Sequence, residues 1–303
     1  MTPRGPAPDG ACTPLHPTQR IVGPLAQMHR AQIERAQWPE FERFDAARYD
    51  PELRHQAARN WWFRARQEYG SVLEFSALLH ALTRVGAPIE LTGALGRLIT
   101  DEARHAELCR AMTVALVGEE RALSLPWEPI GMPYPPAPQG GAESAPEVLA
   151  WAADVLLTSC CIGEAVSRPI YDALIAVTTD AVPRDVVRQI LRDEHLHASF
   201  GWYALEWLLP RLGGPARAQL DRVLAVRLGS FERTCSAGVA LADLVDKELV
   251  IEPPAEDAAP NLGTLGAEAF AMIFYATIEH DILPRFEALG FDALRAWRTR
   301  HTE

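Results

Sequence analysis

The sequence predicts an all-α protein. Three observations carry that reading. Apolar residues recur at three- and four-residue intervals over long stretches, no stretch alternates with period two, and clusters of Pro and Gly fall between the periodic stretches as breaks. Four long helices are expected, followed by two more.

In chain order, Pro3, Pro6, Pro8, Pro14 and Pro17 mark a flexible start, and residues 1–45 read as a Pro-rich extension with short helical pieces at best. Residues 46–303 read as one helical domain, with a four-helix unit over 60–210 and additional helices over 211–303. The first helix spans roughly Asn60 to Arg84, with Val72, Phe75, Leu79 and Leu82 on one face. Gly86 stops it and Pro88 restarts the chain, so the second helix runs to about Val117. The stretch from Leu123 to Ala142, which includes PYPPAPQGG, is a break long enough to cross between distant ends of a bundle. Ser144-Ala-Pro-Glu147 fits a capping box with proline in the first turn and opens a third helix to about Thr178. The fourth runs from about Pro183 to Leu209. Two further helices, Pro215 to Val245 and Gly266 to Arg298, flank a loop containing EPPAEDAAP.

Composition narrows the function classes. With 303 residues, 48% of them apolar and 23% charged, the chain is ordinary globular protein. Its formal net charge of −11 is the wrong sign for a general nucleic-acid binder. No run approaches 18 consecutive apolar residues, so neither a membrane-spanning helix nor a membrane partner is expected. The N-terminus has no apolar segment of the secretory kind. Cys12, Cys109, Cys160, Cys161 and Cys235 form no CxxC, which argues against a zinc ribbon, a rubredoxin-type iron site or a disulfide framework. A reducing cytoplasm is the simplest location.

The chemistry lies in two copies of D-E-x-x-H. The second helix carries Asp101-Glu102-Ala-Arg104-His105 and the fourth carries Asp193-Glu194-His-Leu-His197. Residues three apart share a helix face, so Glu102 with His105, and Glu194 with His197, are each expected to offer a carboxylate and an imidazole to one metal ion. A lone E-x-x-H carries little. Glu52-Leu-Arg-His55 is such a decoy, at a helix start with no partner carboxylate before it. The two other copies have partners. Glu164 sits in the mostly apolar third helix, 16 residues before the turn at Asp180, with Glu194 14 after it. At 1.5 Å per residue the two lie within about 3 Å of one level. On the first helix Glu68 has the same two-residue offset from Glu102 about Gly86, whereas Glu74 is displaced by about 6 Å. Glu68 is therefore preferred and Glu74 is the alternative. The expected metal set is Glu68, Glu102, His105, Glu164, Glu194 and His197: one Glu from each of two helices and E-x-x-H from each of two others. That is the ligand pattern of ferritin-like dimetal carboxylate bundles, and oxygen and imidazole donors suit iron and manganese.

With these residues in place, the chain resembles the ferritin-like superfamily, in its branch of diiron-carboxylate oxygenases and ribonucleotide reductase small subunits. That branch carries, twice, an acidic residue about thirty residues ahead of D-E-x-R-H. Asp101 to His105 matches in full, with 32 residues between Glu68 and Asp101. The second copy has Leu196 in place of Arg and a gap of 28. The resemblance covers about residues 60–210. It implies a ferritin-like four-helix bundle with extra C-terminal helices, two iron ions or a manganese–iron pair, and Asp101 and Asp193 holding the outer nitrogens of the ligand histidines. Arg104 is placed to pair with one of these aspartates. Cys109, four residues after His105, shares the ligand face and occupies the place of the radical tyrosine of the reductase subunits, so that radical is not available here.

The neighbours of the ligands follow from spacing. Cys160 and Cys161 precede Glu164 by four and three residues, either lining the pocket or packing as small hydrophobes. Gly201 either leaves room near the metals or permits close helix packing. Arg168 is a candidate substrate contact, His195 points about 100° away from Glu194, and Trp61 and Trp62 belong to core or interface. The position four before Glu194 is Ile190, which does not support an arylamine N-oxygenase with a seventh histidine ligand.

The expected function is an O₂-activating dinuclear iron oxygenase or oxidase acting on a small organic substrate. Its electrons would come from an external reductase or ferredoxin, since no flavin or nicotinamide fingerprint is present. A homodimer through helix faces is compatible with the sequence. Alternatives are a ferroxidase- or peroxidase-type iron-handling protein and a non-catalytic helical scaffold.

Overall fold

The computed structural model describes residues 23–24 and 38–301 apart from 129, 141, 237, 245, 248–250 and 252–257. The described residues are helical with no strand, as the periodicity requires. Most of the expected 1–45 extension, Cys12 included, lies outside them. Residues 38–45 are placed: Phe41–Arg43 form a 3₁₀ turn, and Trp38, Phe41 and Phe44 pack against the core.

Helix α1 spans Pro51–Arg84, starting nine residues before its expected first residue. Asp50 caps it by accepting from the backbone N–H of Glu52 at 2.8 Å. Its first turns bury Ala57, Ala58, Trp61, Trp62 and Ala65, a face whose alanines gave little apolar signal. Gly86, at φ +75, ends the turn as only glycine does cheaply. Helix α2 spans Ile89–Val117 and a short α3 spans Glu119–Leu123. After the crossover, α4 covers Ala145–Val155. It continues through a π-helical segment, Leu156–Gly163, into α5, Glu164–Val177. Ser144 stands at the N-cap, but its side chain makes no capping hydrogen bond, so the expected capping box is not formed. Helix α6 spans Ala181–Leu208, capped by Asp180.

The four long helical runs close a ring. Helix α1 packs on α2 and α4, α2 packs on α6, and α6 packs on the π segment and α5. Turns of a few residues make α1/α2 and α5/α6 antiparallel pairs. Trp61, Phe75, Leu78, Leu82, Leu95, Leu98, Leu108 and Met112 are fully buried between them, each contributing about 1.5–3 kcal/mol.

The run Ala145–Val177 is long and apolar enough, by length and composition, to cross a membrane, which corrects the expectation that no segment would be. Most of it is buried inside the protein, and its apolar character serves the core.

The last third differs from two long helices. Helix α7 spans Gly214–Cys235 and stops ten residues short of the expected end. Then come α8, Ala267–Thr277, a second π segment, Ile278–Ile282, α9, Leu283–Ala288, and α10, Ala293–Thr299. Gly290, at φ +80, makes the break between α9 and α10. Glu232 of α7 ties the chain end back through Arg300, at 2.5 and 2.9 Å.

Candidate metal centre

The structure gathers all six expected ligands at one level of the helix ring, from α1 (Glu68), α2 (Glu102, His105), α5 (Glu164) and α6 (Glu194, His197). They form two trios, Glu68–His105–Glu194 and Glu102–Glu164–His197, each with its ligand atoms within 4.8 Å of one another. This corrects the expected grouping. Glu102 and His105 belong to different trios, and so do Glu194 and His197. Each E-x-x-H rises by about 4.5 Å between its two residues, so its carboxylate and imidazole serve neighbouring positions.

The inner nitrogens face the carboxylates. His105 Nδ1 lies 3.6 Å from Glu68 Oε2 and 3.5 Å from Glu194 Oε1. His197 Nδ1 lies 2.9 Å from Glu102 Oε1 and 3.6 Å from Glu164 Oε2. The ring centroids are 5.5 Å apart.

Five buried polar atoms of these six side chains have no hydrogen-bond partner among the described residues: on the inner side Nδ1 of both histidines, Glu102 Oε2 and Glu194 Oε2, and on the outer side Nε2 of His197. A buried polar atom without a partner costs about 1–3 kcal/mol. Four such atoms converging on two points, all of them metal-donor types, fit a pair of cations. Without a cation, protons redistribute. Burial pushes the Glu102 carboxyl up to about 8, against the pull of His197. Burial opposes protonation of His105, but the Asp193 and Glu68 carboxylates around it raise it to about 10. Burial also opposes ionisation of Glu68, yet His105 draws it down to about 2.

Behind the ligands stands a crossed brace. Asp193, on α6, lies 3.3 Å from Nε2 of His105, on α2. Asp101, on α2, lies 3.6 Å from Nε2 of His197, on α6. Arg104 Nη2 donates to Asp101 Oδ1 and Asp193 Oδ2, both at 2.5 Å, and Arg97 Nε donates to Asp101 at 2.7 and 2.8 Å. Arg104 thus pairs with both aspartates. Cys109 is fully buried. Burial, with the charge of Glu68 adding to it, pushes its thiol well up.

Tyr171 went unnoticed in the sequence. Its hydroxyl donates to Glu68 Oε1 at 2.5 Å, and it lies seven residues after Glu164, two turns along the same face. Glu74, the alternative to Glu68, stands in neither trio and accepts from the Ser159 hydroxyl, which in turn meets the Tyr134 hydroxyl. Burial raises the Glu74 carboxyl.

Other expectations resolve as follows. A Cβ on Gly201 would lie 2.5 Å from the Cys160 carbonyl carbon, so this glycine serves close helix packing. Cys160 and Cys161 are buried, with Cys160 under the influence of Glu164. His195 is exposed. Arg168 lies in a separate groove of about 630 Å³ that holds none of the six ligands. Trp61 and Trp62 are core, and Glu52 of the decoy is exposed.

A cavity of about 620 Å³ adjoins the centre. Glu68, Glu102, Glu164 and Glu194 form its floor, and Phe63, Arg64, Ser159, Tyr171, Phe231 and Phe270 are among its walls. Its size suits a small organic molecule. Comparison with known proteins gives no match: no family model, no curated protein and no solved structure matches the chain.

Proposed function

We propose that this chain is a ferritin-like dinuclear iron enzyme that uses O₂ to oxidise a small organic substrate. The observation that carries the reading is the pair of buried ligand trios with four orphaned donor atoms aimed inward. Carboxylate and imidazole donors without thiolate favour iron, or a manganese–iron pair, over softer metals. When bound, a ferrous pair supplies the electrons and the coordination positions that O₂ reduction needs.

The chain's own residues do the rest. Asp193 sets the orientation of His105, and Asp101 stands on the outer side of His197. Tyr171 occupies one oxygen of Glu68 and fixes its rotamer. Glu102, with Glu164 and His197, would hold one of the two ions. The cavity supports an organic substrate over simple iron handling, because a ferroxidase needs no walled space of about 620 Å³. Returning the metals to the reduced state calls for a separate reductase or ferredoxin. The four described cysteines are unpaired, which agrees with a reducing compartment.

Elemental analysis of protein from iron-replete cells tests the reading. About two metal ions per chain are expected, lost in the Glu102→Ala/Glu194→Ala double variant, with substrate-dependent O₂ consumption once the substrate is found. A wild-type chain that stays metal-free after anaerobic Fe(II) loading rules the proposal out.

A further inference from the structure

Arg64 stands on the cavity wall with no carboxylate oxygen within 4 Å of it among the described residues. It lies on α1, four residues before Glu68, so the two side chains share a face one turn apart. Its Nη2 reaches the backbone oxygen of Gly263 at a long 3.3 Å. Its guanidinium lies 4.7 Å from the Trp61 ring centroid and 6.0 Å from that of Tyr171. Its Nη1 is buried and has no acceptor among the described residues. Other arginines near the site behave differently. Arg104 and Arg97 bind Asp101, and Arg227 holds Asp154 at 2.6 Å. A half-buried guanidinium left without a counter-ion at the edge of a ligand-sized cavity is costly and is placed for an anion that arrives from outside.

The remaining walls describe the other end of that molecule. Phe63, Phe231, Phe270, Ile130 and Leu265 present apolar surface. On the reading above, two divalent ions offset the four ligand carboxylates, charge for charge, and leave Arg64 unopposed.

We propose that the cavity takes an organic acid: a molecule with an apolar body and one anionic group, whose acid oxygens pair with the Arg64 guanidinium while the body lies against Phe63, Phe231 and Phe270. The planar fork of arginine suits a carboxylate in two-point contact. The inference rests on the dimetal reading for what then happens to the molecule, but binding itself needs only Arg64 and the cavity.

The test is a titration of the purified full chain with 4-phenylbutyrate and its uncharged isostere 4-phenylbutyramide, read by calorimetry on metal-free and on Zn(II)-loaded protein. The acid is expected to bind about tenfold or more tighter than the amide, as a charge-assisted contact implies. Arg64→Met should abolish that ratio while leaving amide binding within about twofold, and Arg64→Lys should retain part of it. Equal binding of acid and amide by the wild type, or an unchanged ratio in Arg64→Met, overturns the proposal. So does failure of both probes to bind. Should Arg64→Met not fold, as judged by circular dichroism, the wild-type ratio together with Arg64→Lys decides. A chain that refuses metal yet prefers the acid refutes the dimetal reading alone. One that loads two metals and shows no preference refutes this inference alone.

Discussion

Asp193 reaches from α6 to the outer nitrogen of His105 on α2, 3.3 Å away, while the mirror contact, Asp101 to His197, runs from α2 back to α6. The brace is closed on the His105 side and open on the His197 side, where Asp101 stands 3.6 Å from an Nε2 that has no hydrogen-bond partner among the described residues. A second carboxylate on the far ring nitrogen fixes the tautomer and turns Nδ1 inward. Asp193→Asn keeps the shape but removes the charge. It should weaken metal binding about 10- to 100-fold, measured by competition with a chelator of known affinity. An unchanged affinity would mean that the brace is only structural.

Arg104 bridges the two braces with bonds of 2.5 Å to each aspartate, and it is nearly fully buried. Removing one partner of a buried charge network leaves the rest uncompensated. Arg104→Met should therefore lower unfolding free energy by about 3–5 kcal/mol, seen as a fall in the urea midpoint of metal-free protein. Loss below about 1 kcal/mol would place the pair in a wetter setting than its burial implies.

The helical class, the order of the four long runs and the meeting of the six candidate side chains were legible in the sequence. Helical periodicity and matched heights about Gly86 and Asp180 depend only on rise per residue. The division into trios was not legible. Spacing says that Glu102 and His105 share a face, but not that each turns to a different neighbour across the bundle. Tyr171 was hidden because a tyrosine on an apolar face reads as core until a carboxylate appears opposite it. The late helices were misread because the breaks at residues 236–240 and Gly290 interrupt the pattern without a proline.

The metal-free centre should show a defined pH dependence. Burial raises the folded pKa of Glu102 to about 8, above its unfolded value of about 4.3. The folded state therefore holds a proton that the unfolded chain releases. The stability this group contributes is fully present below about pH 4.3 and is lost as pH rises through about 8. Coordination needs the ionised carboxylate. Metal loading at pH 7 should thus release protons from Glu102 and from His105, whose imidazole is raised to about 10, and affinity for Zn(II) should rise between pH 6.5 and 8.5. Calorimetry in two buffers of different ionisation enthalpy counts the protons. No release, with affinity flat across that range, contradicts the assignment.

Gly201 gives a packing test at a distance from charge. A Cβ there would meet Cys160 backbone at 2.5–2.6 Å, and neither the π segment nor α6 can yield without shifting helices. Gly201→Ala should cost about 1–3 kcal/mol. Gly93→Ala, in α2 with nothing within 4 Å of its added Cβ, should gain about 0.5–1 kcal/mol from helix propensity. Thermal midpoints moving in opposite directions support the close approach; a neutral Gly201→Ala contradicts it.

Glu68 and Glu74 lie six residues apart on α1, and their partners separate their roles. Glu68 faces His105 and Glu194 and receives the Tyr171 hydroxyl. Glu74 is held by Ser159 and Tyr134, linking α1 to the π segment and the crossover. A ligand and a wall anchor should fail differently. Glu68→Ala removes one donor from a three-donor trio, so metal content should fall from about two to about one per chain. Glu74→Ala leaves both trios whole, so the metal count should stay at two, while the loss of buried hydrogen bonds lowers stability by about 1–3 kcal/mol. Elemental analysis and denaturant unfolding on the same preparations separate the outcomes. A metal count reduced by Glu74→Ala and untouched by Glu68→Ala reverses the assignment.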